Sequence, residues 1–339
     1  MTGAPTREAV HGAGPACTAV AVSFFDGERI RDGQLVRRND GALRLDPLPA
    51  PSGTPRVDGV VLGLPTDHHV HLELVDAAAL EGSRLGHVID LGAAPDRIRA
   101  LAAGRDVSYA GAFLTPPGGY PSDRAWAPPG SVREIADAEA AAAAVAEMAA
   151  AGASAIKVAA NSTAGPVFDD ELLRTIVRLA HAAGLPAIVH AEGRGEAMRA
   201  VRAGADLLAH APFSERLSDE EIAVHATQIE WISTLAVHEG EARRAALDNV
   251  RRFHAAGGSV RYGTDMGNGD IPVDLSTQEL DALSEAGVEG TALLRTLAPA
   301  DPLAADAVLL LAPGGDPARA RRLSRTDTDA DTEGAPDDL

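Results

Sequence analysis

The chain has 339 residues, of which 45% are hydrophobic and 23% are charged, and this composition is that of an ordinary globular protein. The formal net charge of −19 disfavours nucleic acid and anionic membrane surfaces as partners. Cys17 is the only cysteine, so an intrachain disulfide is excluded, and no apolar run reaches the roughly 18 residues needed to span a membrane. We therefore expect a cytoplasmic protein, either a monomer or a homo-oligomer.

Both ends of the chain are predicted to be disordered tails, because residues 1–16 and 314–339 are polar and lack hydrophobic periodicity. The first tail contains no long apolar stretch, so a secretory signal is not predicted. Asp-Gly turn signals divide residues 17–58 into short hairpins. A strand at Ala305–Leu311 could join these hairpins, so residues 17–58 and 300–313 are predicted to form a small β-subdomain.

Residues 59–299 alternate between short apolar runs and longer helical patterns. Several runs are continuously hydrophobic, which is typical of strands buried on both faces of a parallel sheet. The eight runs are VVLGL (60–64), HVIDL (87–91), VSYAGAFL (107–114), ASAIKV (153–158), PAIVH (186–190), ADLLAH (205–210), IEWISTLAV (229–237) and SVRYGTD (259–265). Helical patterns lie at 131–151, 169–183, 218–227 and 239–256. The sequence therefore predicts an α/β fold, a (β/α)8 TIM barrel with a small flanking β-sandwich formed from both chain ends.

Two histidines, His69 and His71, follow the first of these runs. In an extended segment the side chains alternate, so both imidazoles point to the same side. Two imidazoles at the carboxyl end of a strand are well placed to share a metal ion. The alternative is a polar loop that is merely rich in histidine, because a third histidine, His68, directly precedes His69.

Later runs also end in groups that titrate or bind metals, and these groups are Lys157, His190, His210 and Asp265. The carboxyl ends of barrel strands share one rim, so these side chains are expected to face one cavity. Taken singly, each histidine could be structural, and Asp265 could be a turn or cap residue. Together they would supply several nitrogen and oxygen ligands and leave an open coordination position.

Lys157 is the only lysine among 30 basic residues, and the other 29 are arginine. It lies in an apolar run, where a charged side chain is costly. A buried amine can be neutral and can react with carbon dioxide to give a carbamate, whose two oxygens can bridge two metal ions. A guanidinium stays protonated and cannot do this. The alternative is a lysine in a structural salt bridge.

These positions resemble those of the amidohydrolase superfamily of metal-dependent hydrolases, over about residues 20–313. The matching residues are Asp67-x-His69-x-His71 after Gly-Leu-Pro, Lys157 in Ala-Ile-Lys-Val, His190, His210 and Asp265. Two further segments, Phe113–Pro121 and Asp90-Leu91-Gly92, are similar to the branch that includes imidazolonepropionase-like and prolidase-like enzymes.

The resemblance implies a centre of two metal ions. One ion would be held by His69, His71 and Asp265. The other would be held by His190 and His210, with carbamylated Lys157 bridging the two. In such enzymes a hydroxide between the ions attacks the substrate carbonyl, and Asp265 would carry the proton to the leaving nitrogen. Two Zn²⁺ ions per chain are expected, while Mn²⁺, Fe²⁺ and Co²⁺ stay open.

Loops after the strands are expected to recognise a small-molecule substrate. The candidates for substrate binding are Tyr120, Asn161, Arg194 and Asn268. Arg194 could pair with a substrate carboxylate, or it could be a solvated arginine at a helix start. His238 is a candidate catalytic residue, which could donate a hydrogen bond to the carbonyl oxygen.

The predicted reaction is hydrolysis of the C–N bond of an amide or cyclic amide. Hydrolysis of a lactone or ester is one alternative, and hydrolysis of an Xaa-Pro-type dipeptide is another. A third alternative is a degenerate barrel that binds a ligand without catalysis.

Overall fold

The computed structural model of the chain describes residues 19–38 and 40–328. Cys17, the predicted tail 1–16 and residues 329–339 of the other predicted tail lie outside these residues. The strands are β1 (Ala19–Phe25), β2 (Ile30–Arg37), β3 (Leu43–Asp46), β4 (Arg56–Gly63), β5 (Thr66–Val70), β6 (His87–Asp90), β7 (Val107–Tyr109), β8 (Phe113–Thr115), β9 (Val132–Glu134), β10 (Ile156–Asn161), β11 (Ala187–Glu192), β12 (Leu207–Leu208), β13 (Glu230–Ile232), β14 (Val260–Arg261), β15 (Leu309–Ala312) and β16 (Arg321–Arg322).

The helices cover the parallel strands. They are α1 (Pro95–Ala102), α2 (Ala138–Ala150), α3 (Asp170–Ala182), α4 (Glu196–Ala203), α5 (Asp219–Gln228), α6 (Gly240–Ala255), α7 (Thr277–Glu285) and α8 (Gly290–Thr296). The helical pattern at 131–151 begins seven residues too early, because β9 pairs with β8 and Asp137 then caps α2 by accepting a hydrogen bond from the Ala140 N–H.

Strands from both chain ends form one six-stranded sheet, in the order β16-β15-β4-β1-β2-β3. β1 runs antiparallel to β2 and parallel to β4, and β15 runs antiparallel to β4. The two ends of the chain therefore meet in one sheet, whereas the predicted sandwich is not confirmed.

Two predicted boundaries in this region are wrong. The run VVLGL lies largely in β4 of the six-stranded sheet, where Val61 pairs with Leu311, and β5 is the strand that carries His69. Hydrophobicity marks the apolar run of β4 but not the strand that follows it, because β5 reads Thr-Asp-His-His-Val and is polar in sequence although it is buried. The second error concerns residues 314–328, which contain β16 and short 3-10 helices. Long-range contacts order this segment, such as the hydrogen bond from the Arg322 guanidinium to the Ser83 carbonyl.

Two parallel sheets make up the rest of the α/β fold. Seven strands follow the order β14-β13-β12-β11-β10-β8-β9, and three follow the order β5-β6-β7. The two sheets meet beside β5, where Val70 forms a parallel bridge with Met266 and the His68 N–H donates to the Tyr262 carbonyl at 3.0 Å. The chain also connects the two sheets directly. β7 of the three-stranded sheet and β8 of the seven-stranded sheet lie in one segment, which the sequence predicts as a single strand.

The three sheets share one hydrophobic core. Its buried side chains include Leu62 and Leu310 of the six-stranded sheet together with Trp231 of β13. Trp231 stacks on Phe253 of α6 with ring centroids 3.8 Å apart. In the part of the chain that the structure describes, no helix is long and apolar enough to cross a membrane.

Candidate metal centre

Three of the predicted ligands meet at the carboxyl end of β5. The Nε2 atoms of His69 and His71 each lie 3.2 Å from Oδ1 of Asp265, and one ligand atom from each residue lies within 4.8 Å of the other two. All three side chains are buried. The arrangement agrees with the period-two spacing of His69 and His71.

The Asp67 carboxylate holds this part of the site together. Its Oδ1 accepts hydrogen bonds from the backbone N–H groups of His69 and Thr264, at 3.0 and 3.1 Å. Its Oδ2 accepts a hydrogen bond from the Thr264 hydroxyl at 2.6 Å. Asp265 follows with a φ of 58°, a left-handed conformation that aspartate tolerates. Its Oδ2 accepts a hydrogen bond from Asn268 Nδ2 at 2.8 Å, so the carboxylate is fixed on both sides.

The hydrogen bonds of the two histidines determine which ring nitrogen carries the proton. His69 Nδ1 lies 2.8 Å from the Ala209 carbonyl, and His71 Nδ1 lies 3.3 Å from the Gly92 carbonyl. A carbonyl oxygen only accepts, so each Nδ1 carries a proton. Burial holds the pKa of His69 well below its ordinary value, so its Nε2 keeps a lone pair, which faces a carboxylate oxygen of Asp265 and makes no hydrogen bond. Two facing acceptors repel unless a cation lies between them, and His71 Nε2 approaches the same oxygen, so the set fits a metal ion.

His190 in β11 and His210 after β12 extend the cluster. The His210 ring lies 4.7 Å from that of His69 and 4.9 Å from that of His190, measured between centroids. His190 Nε2 donates to the Glu192 carboxylate at 3.2 Å, which leaves its Nδ1 with a lone pair. His210 Nδ1 lies 2.9 Å from the Thr234 hydroxyl. Burial lowers the pKa of both histidines, so their imidazoles are neutral at neutral pH.

Lys157 lies in β10, and its side chain faces the same cavity as these histidines. It is the second residue of the strand, which continues to Asn161, so the predicted run ends too early. Only 1% of the residue is exposed. Burial lowers the pKa of its amine to about 7, although the charges of Asp265 and Asp90 oppose this shift. A large fraction of the amine is therefore unprotonated at neutral pH.

A cavity of about 430 Å³ opens over the cluster. Three of the predicted residues line it without belonging to the ligand set, and these are Tyr120, His238 and Asn268. Tyr120 stacks on His190 with ring centroids 5.3 Å apart. His238 stacks on Phe213 at 4.1 Å, and its buried Nε2 makes no hydrogen bond. Burial lowers the pKa of His238 to about 4, so this imidazole is neutral.

Of the two predicted asparagines, Asn268 lines the cavity and Asn161 is not among its lining residues. The Asn268 amide donates to Asp265. Asn161 is buried, and its Nδ2 donates to Glu192 Oε2 at 2.6 Å.

Arg194 is not brought into the cavity. Its side chain is 93% exposed, and its Nε lies 3.6 Å from the Glu215 carboxylate. Gly193 has a φ of 111° and turns the chain away from the cluster before α4. The solvated-arginine alternative therefore describes Arg194.

No family model matches the sequence, and no curated protein matches it. Solved structures do match over most of the chain. A protein assigned as a prolidase, from Bifidobacterium longum, is 21% identical with a TM-score of 0.65, and the match covers 93% of this chain and 98% of that one. An amidohydrolase is 18% identical with a TM-score of 0.63, covering 88% and 93%. A Xaa-Pro dipeptidase with methionine bound in its active site is 17% identical with a TM-score of 0.63, covering 82% and 86%. The fold is amidohydrolase-like.

Several residues at the cluster of this amidohydrolase-like fold are not predicted from the sequence. Glu192 is one of them, although the sequence contains a signal for it. It follows His190 by two positions in one strand, and the same spacing relates His69 to His71. Trp126 and Phe213 lie on loops, where no periodicity exists to indicate which side chains reach the cavity.

Proposed function

We propose that this protein is a metal-dependent hydrolase that cleaves the C–N bond of an amide or cyclic amide in a small molecule. The observation that carries the proposal is the convergence of His69 Nε2 and His71 Nε2 on Oδ1 of Asp265, beneath a cavity of about 430 Å³. That volume is suited to a small molecule. The likeness of the fold to an amidohydrolase and to a Xaa-Pro dipeptidase supports C–N hydrolysis.

We also propose that the two parallel sheets form one closed eight-stranded barrel, in which β7 and β8 count as one strand and β9, which pairs with β8, is an additional strand outside the eight. The bridge between Val70 and Met266 and the continuity of β7 with β8 support this closure. A closed barrel explains why ligands from five strand ends face one cavity.

The proposed centre holds two metal ions. His69, His71 and Asp265 would hold one ion and His190 and His210 the other, with carbamylated Lys157 shared between them. Zn²⁺ suits this set of imidazole and carboxylate ligands, while Mn²⁺, Fe²⁺ and Co²⁺ are alternatives for the assay. Bound ions of this kind lower the pKa of water towards neutrality and polarise a carbonyl.

The carbamate would form when the unprotonated Lys157 amine attacks carbon dioxide. The new bond joins Nζ to the carbon of carbon dioxide. One N–H proton passes to water, and the product is an anionic carbamate. The pKa of about 7 supports this reaction, because the reactive amine is then abundant at neutral pH. The absence of other lysines from the sequence indicates that arginine does not replace this one.

Asp265 is the proposed proton carrier. Burial raises the pKa of its carboxyl, but the positive charge that His69 carries when protonated and a hydrogen bond with His71 outweigh this effect and hold the pKa well below its ordinary value. The carboxylate is therefore ionised at neutral pH and can accept a proton from the attacking water. Asn268 keeps its orientation while the proton passes on to the leaving nitrogen.

His238 is the proposed donor to the substrate carbonyl oxygen. Its stacking on Phe213 fixes the ring, and its Nε2 has no competing partner. A neutral imidazole with a proton on Nε2 can donate this hydrogen bond, which would strengthen as negative charge develops on the oxygen.

The test is an assay of protein loaded with Zn²⁺ in bicarbonate buffer against amides, cyclic amides, lactones and Xaa-Pro dipeptides. We expect turnover of an amide that a chelator abolishes and that falls at least about 100-fold in Asp265→Asn. Preferred turnover of a lactone or dipeptide would favour those alternatives. Loaded protein that hydrolyses none of the panel would contradict the proposal and favour a binding protein.

A further inference from the structure

Charge in the cavity is unevenly distributed outside the proposed ligands. Glu192 lines the cavity, whereas no arginine does so in the described part of the chain. Arg124 contacts the Tyr120 ring at 5.7 Å, but its Nε lies 3.2 Å from the Asp123 carboxylate. A substrate carboxylate would therefore meet a negative side chain and no side-chain cation other than the proposed bridging lysine. If the substrate carboxylate bound to the proposed metal centre instead, it would take the place that the scissile carbonyl needs there.

Two nitrogen donors and a shared hydroxyl hold the Glu192 carboxylate in place. Asn161 Nδ2 donates to its Oε2 at 2.6 Å, and His190 Nε2 lies 3.2 Å from the same oxygen. The Thr163 hydroxyl lies 2.9 Å from Oε1 and 2.7 Å from Asn161 Oδ1, and these two acceptors share its single proton. A carboxylate held in this way cannot turn away from an approaching anion. Like charges brought together in a partly buried site are strongly unfavourable.

An aromatic wall borders the same cavity. The Trp126 ring lies 6.2 Å from that of Phe113 and 6.0 Å from that of Tyr120. Trp126 is 41% exposed, although a large apolar ring is normally withdrawn from water. Gly92 makes room for this wall, because a Cβ there would lie 2.0 Å from the Phe113 ring. Aromatic faces at a cavity mouth suit a flat apolar group.

We propose that the cavity selects uncharged amides that place a flat apolar group against Phe113, Tyr120 and Trp126, and that Glu192 discriminates against substrates with a carboxylate near the scissile bond. This inference rests on the proposed function and narrows its substrate class. It makes free dipeptides poor substrates despite the likeness of the fold to a Xaa-Pro dipeptidase.

The first test compares N-benzoylphenylalanine with its carboxamide on protein loaded with Zn²⁺ in bicarbonate buffer. Release of benzoate is measured, because the carboxamide group is a second C–N bond that the carboxylate compound lacks. We expect kcat/KM for the carboxamide to exceed that for the carboxylate at least about tenfold. Equal values, or a preference for the carboxylate, would overturn the inference.

Two variants assign the discrimination to its residue. Glu192→Gln keeps the shape of the side chain and removes its charge, so we expect the ratio of the two kcat/KM values to fall at least about fivefold. The control is Asp270→Asn, which removes an exposed charge in the segment between β14 and α7 and should leave the ratio unchanged. A ratio that Glu192→Gln does not change would show that Glu192 is not the discriminating residue.

A binding measurement separates this inference from the proposed function. The chain has two tryptophans, and Trp231 is fully buried against Phe253, so quenching of fluorescence by a ligand reports on Trp126. If neither compound is hydrolysed, the proposed function fails for these two compounds. The fluorescence titration still shows which of them binds more tightly, and so it tests the selectivity. We expect the carboxamide to quench with the lower Kd and Trp126→Phe to abolish the quenching. Tighter quenching by the carboxylate, or quenching that survives Trp126→Phe, would overturn the inference.

Discussion

At the scale of single residues, Lys157 is the side chain whose chemistry depends most on its surroundings. An exposed lysine is protonated at neutral pH, but burial lowers the pKa of this amine to about 7. The imidazoles of His69, His190 and His210 are neutral for the same reason. The ionised Asp265 and an anionic carbamate are then the groups that would balance the charge of bound cations.

The carbamate has a direct spectroscopic test. Protein in ¹³C-labelled bicarbonate with Zn²⁺ should show one carbonyl signal from a carbamate, and Lys157→Arg should lack it because a guanidinium stays protonated. The control is Arg178→Lys, which adds a lysine to an exposed position of α3 and should keep one signal. A signal that survives Lys157→Arg would contradict the assignment.

How much of the site the sequence predicts depends on whether a residue lies in a strand. The spacing of His69 and His71 predicts a shared direction because strand side chains alternate. Arg194 lies beyond its strand, between Gly193 and Gly195, whose φ angles of 111° and 81° interrupt the extended backbone on which the alternation of side chains depends. Trp126 belongs to the loop between β8 and β9, and its position depends on ring contacts with Phe113 and Tyr120 that have no local signal.

At the scale of elements, a buried carboxylate on α7 organises the turn after β13. Glu279 accepts hydrogen bonds from the backbone N–H groups of Leu235 and Ala236, at 2.9 and 2.7 Å. The turn begins at Thr234, whose hydroxyl lies 2.9 Å from His210 Nδ1, and ends at His238. Glu279 therefore positions two residues of the candidate site without lying in it.

This carboxyl predicts a dependence of stability on pH. Burial raises the pKa of Glu279 from 4.5 to about 7 against its hydrogen bonds, so the folded protein binds the proton more tightly than the unfolded chain. The stabilisation is fully present below about pH 4.5 and is lost as the pH rises through about 7. The free energy of unfolding of Glu279→Gln, relative to the native protein, should therefore rise from pH 5 to pH 8 by about 1–3 kcal/mol. Urea unfolding at both pH values measures this.

The matched control is Gln278→Ala at an exposed position of α7, which removes no titratable group and should show the same difference from the native protein at both pH values. A relative stability of Glu279→Gln that falls or stays constant over this range would refute the assignment.

Element boundaries were predictable where a local signal exists. The predicted ends of α3, α5 and α6 agree with the structure to within about one residue, because capping residues and glycines mark them. The assignment of β4 was wrong because its apolar run ends just before Leu64 and Pro65, and β5 after them reads Thr-Asp-His-His-Val, with no apolar pattern to mark it as the strand of the parallel sheet. Sheet membership depends on pairing with β15, nearly 250 residues away in sequence, and no local pattern reports it.

At the scale of the whole molecule, the six-stranded sheet and the parallel sheets are expected to unfold together. Leu310 of β15 is fully buried and belongs to the same core as Trp231 of β13. Leu310→Ala should therefore lower the free energy of unfolding by about 2–5 kcal/mol. The midpoints seen by circular dichroism and by tryptophan fluorescence should shift equally.

The control for this change is Val308→Ala, at a position 44% exposed, which should shift neither midpoint. If Leu310→Ala leaves the fluorescence midpoint unchanged, the six-stranded sheet unfolds on its own and the shared core does not couple the sheets.

The measurement that tests the central claim most directly is the metal content of the chain. Elemental analysis would be made on protein purified without chelator in bicarbonate buffer and again after reconstitution with Zn²⁺. Five ligands and a carbamate predict close to two ions per chain, falling to one or none in Lys157→Arg. One ion in the native protein would contradict the bridged centre, and none after reconstitution would contradict the metal centre altogether.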